Sequence, residues 1–209
     1  VRLWFYTMHV LGVALFDQIP YENVVTNGMM TDEDGNKLSK SQRNFPPLDN
    51  VLEEYGADVL RLYVTTTPIA QGEQDRFTQE MLDDIKKRFF LPLWNSVRYF
   101  TMYANVNNFE PSLKHSNSQN ELDKWILARL QTTINNVITY LDEYKIMHAG
   151  RELTPLVQDL STWYVRRSRD RIREGDQDAL QTFYYVLYQI TLLIAPFVPF
   201  ISEELFDVL

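Results

Sequence analysis

A chain of 209 residues with a net charge of −8 and 45% apolar residues is long enough to bury a real core as one large or two modest domains, and its lack of cysteine excludes disulfides and thiolate zinc sites within this stretch. The three histidines, His9, His115 and His148, are scattered and make no ligand pattern, so no metal site is expected. The acidic balance argues against broad electrostatic binding to nucleic acid, with no DNA partner expected, and no apolar run reaches the roughly 18 residues that span a bilayer, so a soluble, intracellular chain without a membrane partner is expected.

The opening, Leu3 to Phe16, is apolar and aromatic, and its length favours a buried helix over a strand. The short apolar run Val24 to Met30, bounded by turn residues, reads as a buried strand. Thr31-Asp32-Glu33-Asp34 then opens a turn that closes with Gly35-Asn36-Lys37-Leu38-Ser39-Lys40-Ser41. Leu48 to Tyr55, stopped by Gly56, predicts a helix, a second follows around Leu60, and Thr67 to Gln74 is a connector broken by Pro68 and Gly72. One strand cannot make a sheet, so residues 1–76 read as the end of a parallel α/β domain whose first half lies elsewhere.

From Thr78 onward strand signals fade. Met81, Ile85, Phe89 and Leu93 recur in helical steps, with Asp83, Asp84, Lys86 and Lys87 on the outside. Asn105 to Asn120 reads as a loop, followed by helices over about Glu121 to Tyr144, Met147 to Arg173 with a kink at Pro155, and Asp176 to Ile194, and a short one opening near Pro199 and Ser202. Helices joined by short turns imply a bundle over 77–209, so the fold class is mainly α.

Lys37 and Lys40, two residues apart on a loop carrying Ser39 and Ser41, can reach two different phosphates, because each ammonium is a flexible point charge with three donors. Such a grip can follow the charge that develops on a leaving pyrophosphate. A solvated surface turn is the alternative for so short a run.

With that loop the chain resembles the class I aminoacyl-tRNA synthetases, whose signature loop reads Lys-Met-Ser-Lys-Ser, and within them the isoleucyl enzymes. Asn44-Phe45-Pro46, Tyr55-Gly56-Ala57-Asp58-Val59-Leu60-Arg61-Leu62-Tyr63, Phe90 to Ser96, Trp163 to Arg169, and Ala195 to Leu205 follow in the family's order across nearly the whole chain. Leu38 replaces the usual methionine, a swap that conserves volume. The resemblance implies that residues 1–76 are the C-terminal part of a Rossmann-type class I catalytic domain and residues 77–209 an α-helical anticodon-binding domain. It casts Lys40 as the contact to ATP phosphates in adenylate formation, with Lys37 second, Ser39 and Ser41 in support, and the Leu38 backbone near the adenine. Trp4 would wall the amino-acid pocket, although core packing is the ordinary fate of such an aromatic. ATP with Mg2+, isoleucine and tRNA(Ile) are the implied substrates and partners, the magnesium travelling with ATP rather than sitting in a site of this chain.

The family's other signature, a His-Ile-Gly-His type run, does not occur here, so the chain is expected to be a C-terminal piece of a larger cytoplasmic ligase and inactive alone. Valyl, leucyl and methionyl enzymes share the loop and the bundle, but the Phe90 to Ser96 and Trp163 to Arg169 runs favour isoleucyl. A non-catalytic tRNA-binding scaffold with a decayed loop is the alternative of another class.

Positive charge is concentrated in Arg166, Arg167, Arg169, Arg171 and Arg173. At about 100° per residue, Leu153, Leu156, Leu160, Trp163 and Tyr164 share one broad side that Arg167 and Arg171 continue, whereas Arg166, Arg169 and Arg173 cluster on another. The first pair is expected to emerge beyond the core or to pair with Asp159 or Asp170, and the trio to be free for phosphate or base edges. Arginine suits that task because its planar fork makes paired contacts and stacks on bases. Trp163, Arg166, Arg167, Arg169 and Arg173 are therefore the candidate tRNA contacts, a solvated charge run being the alternative.

Overall fold

A computed structural model of the chain describes residues 3–39, 44, 47–114 and 117–209. Its first element, α1 (Trp4–Phe16), is a helix as its length suggests, but not a buried one. Gly12 is its only buried residue, and Trp4, Leu11, Leu15 and Phe16 stand in solvent. The physical reason is that no other described element packs closely on it, and it is met mainly by its own following segment, Gln18 and Pro20 against Gly12 and Tyr21 against Phe5. A two-stranded sheet follows, β1 (Met30–Thr31) paired in parallel with β2 (Asp75–Arg76). The expected strand over Val24 to Met30 therefore contributes only its last residue. Ahead of it, the Gly28 N–H bonds the Ile69 carbonyl of the connector at 2.7 Å, and Val24 and Val25 are exposed.

Between the two strands lie α2 (Leu48–Tyr55) and α3 (Ala57–Thr66). α4 (Gln79–Ile85) starts at Thr78, whose hydroxyl accepts from the Met81 N–H at 3.4 Å, and continues through a π-helical stretch, Lys86–Phe90, into α5 (Leu91–Val106). The wider turn lies just ahead of Pro92, whose missing N–H would interrupt an α-helical ladder. Leu82, not Met81, faces the core here, because Leu82 lies on the same stripe as Ile85, Phe89 and Leu93 while Met81 falls to its exposed edge.

The bundle continues with α6 (Glu121–Asp142), capped by Asn120 accepting from Leu122 N–H at 2.9 Å. Next come α7 (Ile146–Arg151), α8 (Leu153–Gln158), a second π-helical stretch, Asp159–Val165, and α9 (Arg169–Arg173). The axis breaks at Glu152 because Pro155 cannot donate to the Arg151 carbonyl. α10 (Gln177–Ile194) is capped by Asp176, which accepts from Ala179 N–H at 3.1 Å, and α11 (Pro199–Val208) begins on a proline suited to a first turn. Among the described residues no strand follows Arg76. Leu93, Phe100, Ile126, Leu156, Phe183 and Leu187 meet in one apolar core, each buried side chain worth about 1.5 to 3 kcal/mol.

α3 belongs to two cores at once. Val59 and Tyr63 join Val51, Ile69 and Leu82 in a smaller cluster, while Leu62 packs into the bundle. Its polar residues fasten the same contact. Arg61 donates to the Phe197 and Pro196 carbonyls at 3.1 and 3.2 Å, Asp58 accepts from the Ile201 N–H at 2.7 Å, and Arg151 donates to the Thr66 carbonyl at 2.8 Å. α7 crosses α3 at Gly150, where a Cβ would lie 2.8 Å from the Thr66 methyl.

Inside the bundle, Asp123 is wholly buried and fully engaged. It receives both terminal nitrogens of Arg171 at 2.9 Å, the Tyr164 hydroxyl at 2.9 Å and the Ser118 hydroxyl at 2.6 Å, and Arg171 also reaches Asp176 at 2.8 Å. Burial, and then the Asp123 charge, hold the Tyr164 phenol neutral well above its ordinary range. The network ties α6, α9 and the start of α10. Arg171→Ala leaves a buried carboxylate with two hydroxyl donors, so chemical denaturation of the chain should show a loss of about 3 kcal/mol; a loss within experimental error would mean that packing alone holds these helices.

Candidate functional site

The turn after β1 folds on itself through Asp32. Its carboxylate accepts the Asn36 N–H at 2.7 Å, the Asp32 N–H bonds the Asn36 carbonyl at 2.9 Å, and Thr31 bridges to Lys37 in antiparallel fashion. Gly35 sits at φ +85°, where a side chain would be strained. Beyond the turn, Asn44 closes the loop at its base. Its amide donates to Asp32 Oδ2 at 2.7 Å and to the Lys37 carbonyl at 3.1 Å, and its oxygen accepts the Ser39 N–H at 2.9 Å. The Asn44 bond, aided by those from Asn36, holds the Asp32 carboxyl below its usual value of 3.8. The charged form is the one the turn binds, so this contribution is intact at neutral pH and fades only as acid protonates Asp32.

Lys37 is exposed and makes no ion pair among the described residues, while Leu38 and Ser39 are half-buried. Lys40 and Ser41 lie outside the described residues. Beside the loop opens a cleft of about 740 Å³ lined by Asp32, Leu38, Asn44 and Phe77, among others. No residue of α1 lines it. Trp4, at the start of α1, is 75% exposed. Asn44 and Asp32 stand in the sequence within a motif and a turn, but no local pattern marks them as a clasp, because it depends on a side chain reaching back 12 residues.

The arginine-rich helix departs from its ideal phase. Up to Leu160 the buried positions are Leu153, Leu156, Val157 and Leu160, and beyond it they are Tyr164, Val165, Ser168 and Ile172. The core side thus moves on by one position. The π-helical stretch Asp159–Val165 explains this, since one inserted residue rotates everything after it by about 100°. Trp163 and Arg167, expected on the core side, therefore face outward. Trp163 is 46% exposed and the Arg167 guanidinium lies 3.9 Å from the centre of its ring.

Arg171 alone of the five turns inward, to Asp123 and Asp176 rather than to Asp159 or Asp170. Asp159 is taken by Arg129 at 2.8 Å, and Asp170 holds Arg173 at 3.5 Å on the open surface, so Arg173 is not wholly free. Arg166, Arg167 and Arg169 are exposed and have no carboxylate partner among the described residues. Tyr99 of α5, which the sequence did not single out, joins this face by donating to the Arg169 carbonyl at 3.3 Å. No periodicity within one helix signals such a cross-helix neighbour. The described residues thus carry two exposed cationic features, Lys37 on the loop and Arg166, Arg167 and Arg169 on the helix. Among the described residues no cluster of His, Asp and Glu is placed to hold a metal ion, and no helix is long and apolar enough to cross a membrane.

In comparison with known proteins, two family models match separate parts of the chain. Residues 1–76 match the model for tRNA synthetases class I (I, L, M and V), and residues 123–209 match the anticodon-binding domain of tRNA ligase. The chain is 39% identical over 207 residues to an isoleucine--tRNA ligase of Bdellovibrio bacteriovorus, covering 97% of this chain and 20% of that protein. It is 36% identical over 211 residues to the isoleucine--tRNA ligase of Chlamydia trachomatis serovar L2, covering 99% of this chain and again 20% of the relative. The chain thus spans about one fifth of the length of these curated relatives. Its fold is similar to that in the ternary complex of Agrobacterium radiobacter K84 agnB2 LeuRS with tRNA and LeuAMS, with a TM-score of 0.74 at 20% identity over 97% of this chain and 24% of that one. A Mycobacterium tuberculosis methionyl-tRNA synthetase in complex with methionyl-adenylate aligns with a TM-score of 0.69 at 19% identity over 87% of this chain and 37% of that one. With a class I model on its loop-bearing part and an anticodon-binding model on its bundle, the chain belongs to the class I tRNA synthetases.

Proposed function

We propose that this chain is part of a cytoplasmic isoleucine--tRNA ligase that joins isoleucine to ATP, releases pyrophosphate and passes the aminoacyl group to tRNA(Ile). The observation that carries the reading is the 35 to 39% identity to isoleucine--tRNA ligases maintained over essentially the whole chain. Residues 1–76 close the catalytic domain and carry the ATP loop, and residues 77–209 form the tRNA-binding bundle. α5 supports placing 77–122 with the bundle, since Leu93, Val97 and Phe100 share a core with Ile126 and Leu130.

In this reading Lys37 and Lys40 meet the ATP phosphates, with Ser39, Ser41 and the Leu38 backbone beside them. Their charge counts most where pyrophosphate departs, and an interaction stronger in the transition state than in the ground state raises the rate. Mg2+ enters with ATP, on its phosphate oxygens, and supplies further neutralisation there. Trp4 walls the isoleucine pocket, its exposure here matching a surface that a larger catalytic domain covers. Trp163, Arg166, Arg167, Arg169 and Arg173 contact the tRNA.

In the full-length enzyme, isoleucine should drive exchange of pyrophosphate into ATP while leucine and methionine do not. Lys40→Ala should slow that exchange with little change in isoleucine affinity, as for a contact made mainly in the transition state; a defect confined to isoleucine affinity would remove Lys40 from the phosphate site. Asn44→Ala removes the clasp that orients Lys37 and Ser39, and a loss of about 1 to 3 kcal/mol in hydrogen bonding should slow adenylate formation about tenfold to a hundredfold. Unchanged pre-steady-state adenylate formation would show that the clasp does not position the loop. Replacing Arg166, Arg169 and Arg173 together with alanine should weaken tRNA binding and flatten its salt dependence by about one unit of slope per phosphate contact removed, leaving adenylate formation intact. Normal charging across a salt series would make the stripe a solvated face.

A further inference from the structure

The outward turn of Trp163 is an unusual use of a large aromatic. In a regular helix Trp163 would continue the stripe of Leu156 and Leu160 into the core, and the π-helical stretch Asp159–Val165 places it 46% exposed instead. Such insertions are frequent at functional sites. Arg167 follows Trp163 outward and holds its guanidinium carbon 3.9 Å from the centre of the indole ring, within stacking distance. The pair lines a surface recess of about 400 Å³ together with Thr162 and Arg166, with no carboxylate in its lining. Neither Arg166 nor Arg167 is drawn into an ion pair among the described residues, although the chain as a whole is acidic.

From this geometry we infer that Trp163 and Arg167 form a preassembled stacking platform for one unpaired nucleobase of the bound RNA, and that Arg166 holds the phosphate beside it. The inference rests on the tRNA-binding reading of the bundle and specifies its chemistry. A guanidinium held over an indole at 3.9 Å can offer its outer face to a base, and its forked edge stays free to make paired hydrogen bonds to neighbouring acceptors. The indole holds the guanidinium plane in place, which reduces the rotamer entropy lost when the base arrives. A phosphate contact alone would need neither a plane nor an aromatic, since a lysine would serve.

Charge-conserving substitution separates the two. In the full-length protein, binding of unmodified tRNA transcript is measured across a salt series for Arg167→Lys, Arg167→Ala, Trp163→Leu and Trp163→Phe. Arg167→Lys should weaken binding about tenfold or more, the scale of one lost base stack, while keeping the wild-type salt slope. Trp163→Leu should lose a similar factor and Trp163→Phe should recover most of it. Thermal melting of each variant checks that these exposed positions leave the fold intact. Wild-type affinity for Arg167→Lys, combined with a lower salt slope for Arg167→Ala, would overturn the platform in favour of a phosphate contact. If the Arg166/Arg169/Arg173 variant loses tRNA while every Trp163 and Arg167 variant binds normally, the platform fails and the tRNA reading stands. If all of them bind normally, both fail.

Discussion

The contact on which the rest of the structure depends is the burial of α3 against two cores at once. An amphipathic helix has one apolar stripe, but Val59 and Tyr63 on one flank and Leu62 on the other give α3 two partners, the small cluster beneath the signature loop and the large core of the bundle. The polar groups at the same junction are spent on backbone atoms of the bundle: Arg61 on the α10–α11 turn, Asp58 on the start of α11, and Arg151 on the last carbonyls of α3. A helix terminus leaves carbonyls without partners, and a neighbour that supplies a donor also fixes its own position. α3 and the continuous helix from α4 through α5, whose Leu82 lies in the small cluster and whose Leu93 lies in the bundle core, thus tie the two cores together.

The bundle treats its arginines according to burial. Arg171, beside the wholly buried Asp123, is held by charge-assisted bonds whose loss would strand a carboxylate in the core. The hydrogen bonds that it donates to Asp123 and Asp176, together with their charges, raise its affinity for the proton, so it stays charged at any accessible pH. Arg166, Arg167 and Arg169, without such partners among the described residues, are exposed to solvent. In a chain of net charge −8 a small set of unneutralised arginines orients a polyanion rather than attracting it from afar. The loop follows a related logic. Asn44 and Asp32 neutralise each other's polarity at its base and leave Lys37 in solvent.

Much of this organisation was legible in the chain itself. The turn residues around Gly35, the capping residues Asn120 and Asp176 and the proline at the start of α11 act through local chemistry, which a sequence displays directly. The ordered motif series pointed to the family because it spans the chain. Misplaced were the features that rest on a partner. The apolar composition of α1 suggests burial, but burial needs a packing partner that the described elements do not supply. The strand at Val24 was read too long, since its backbone bonds the connector rather than a neighbouring strand.

The amino-acid sequence by itself determined the mainly helical class, the starts of α6 and α10, the turn around Gly35 and the clustering of arginine, because each is set within a few residues by propensity, capping and turn chemistry. Only the tertiary structure decided which way the arginine helix faces. An ideal period assigns Trp163 and Arg167 to the core, and a one-residue π insertion, stabilised by packing against α5 and by the Asp123 network, turns them to the surface and leaves Arg171 inside. A helical period is a local property. The phase at which a helix meets its neighbours is not, because it is fixed by which side chains fit and which charges find partners once the helices are packed.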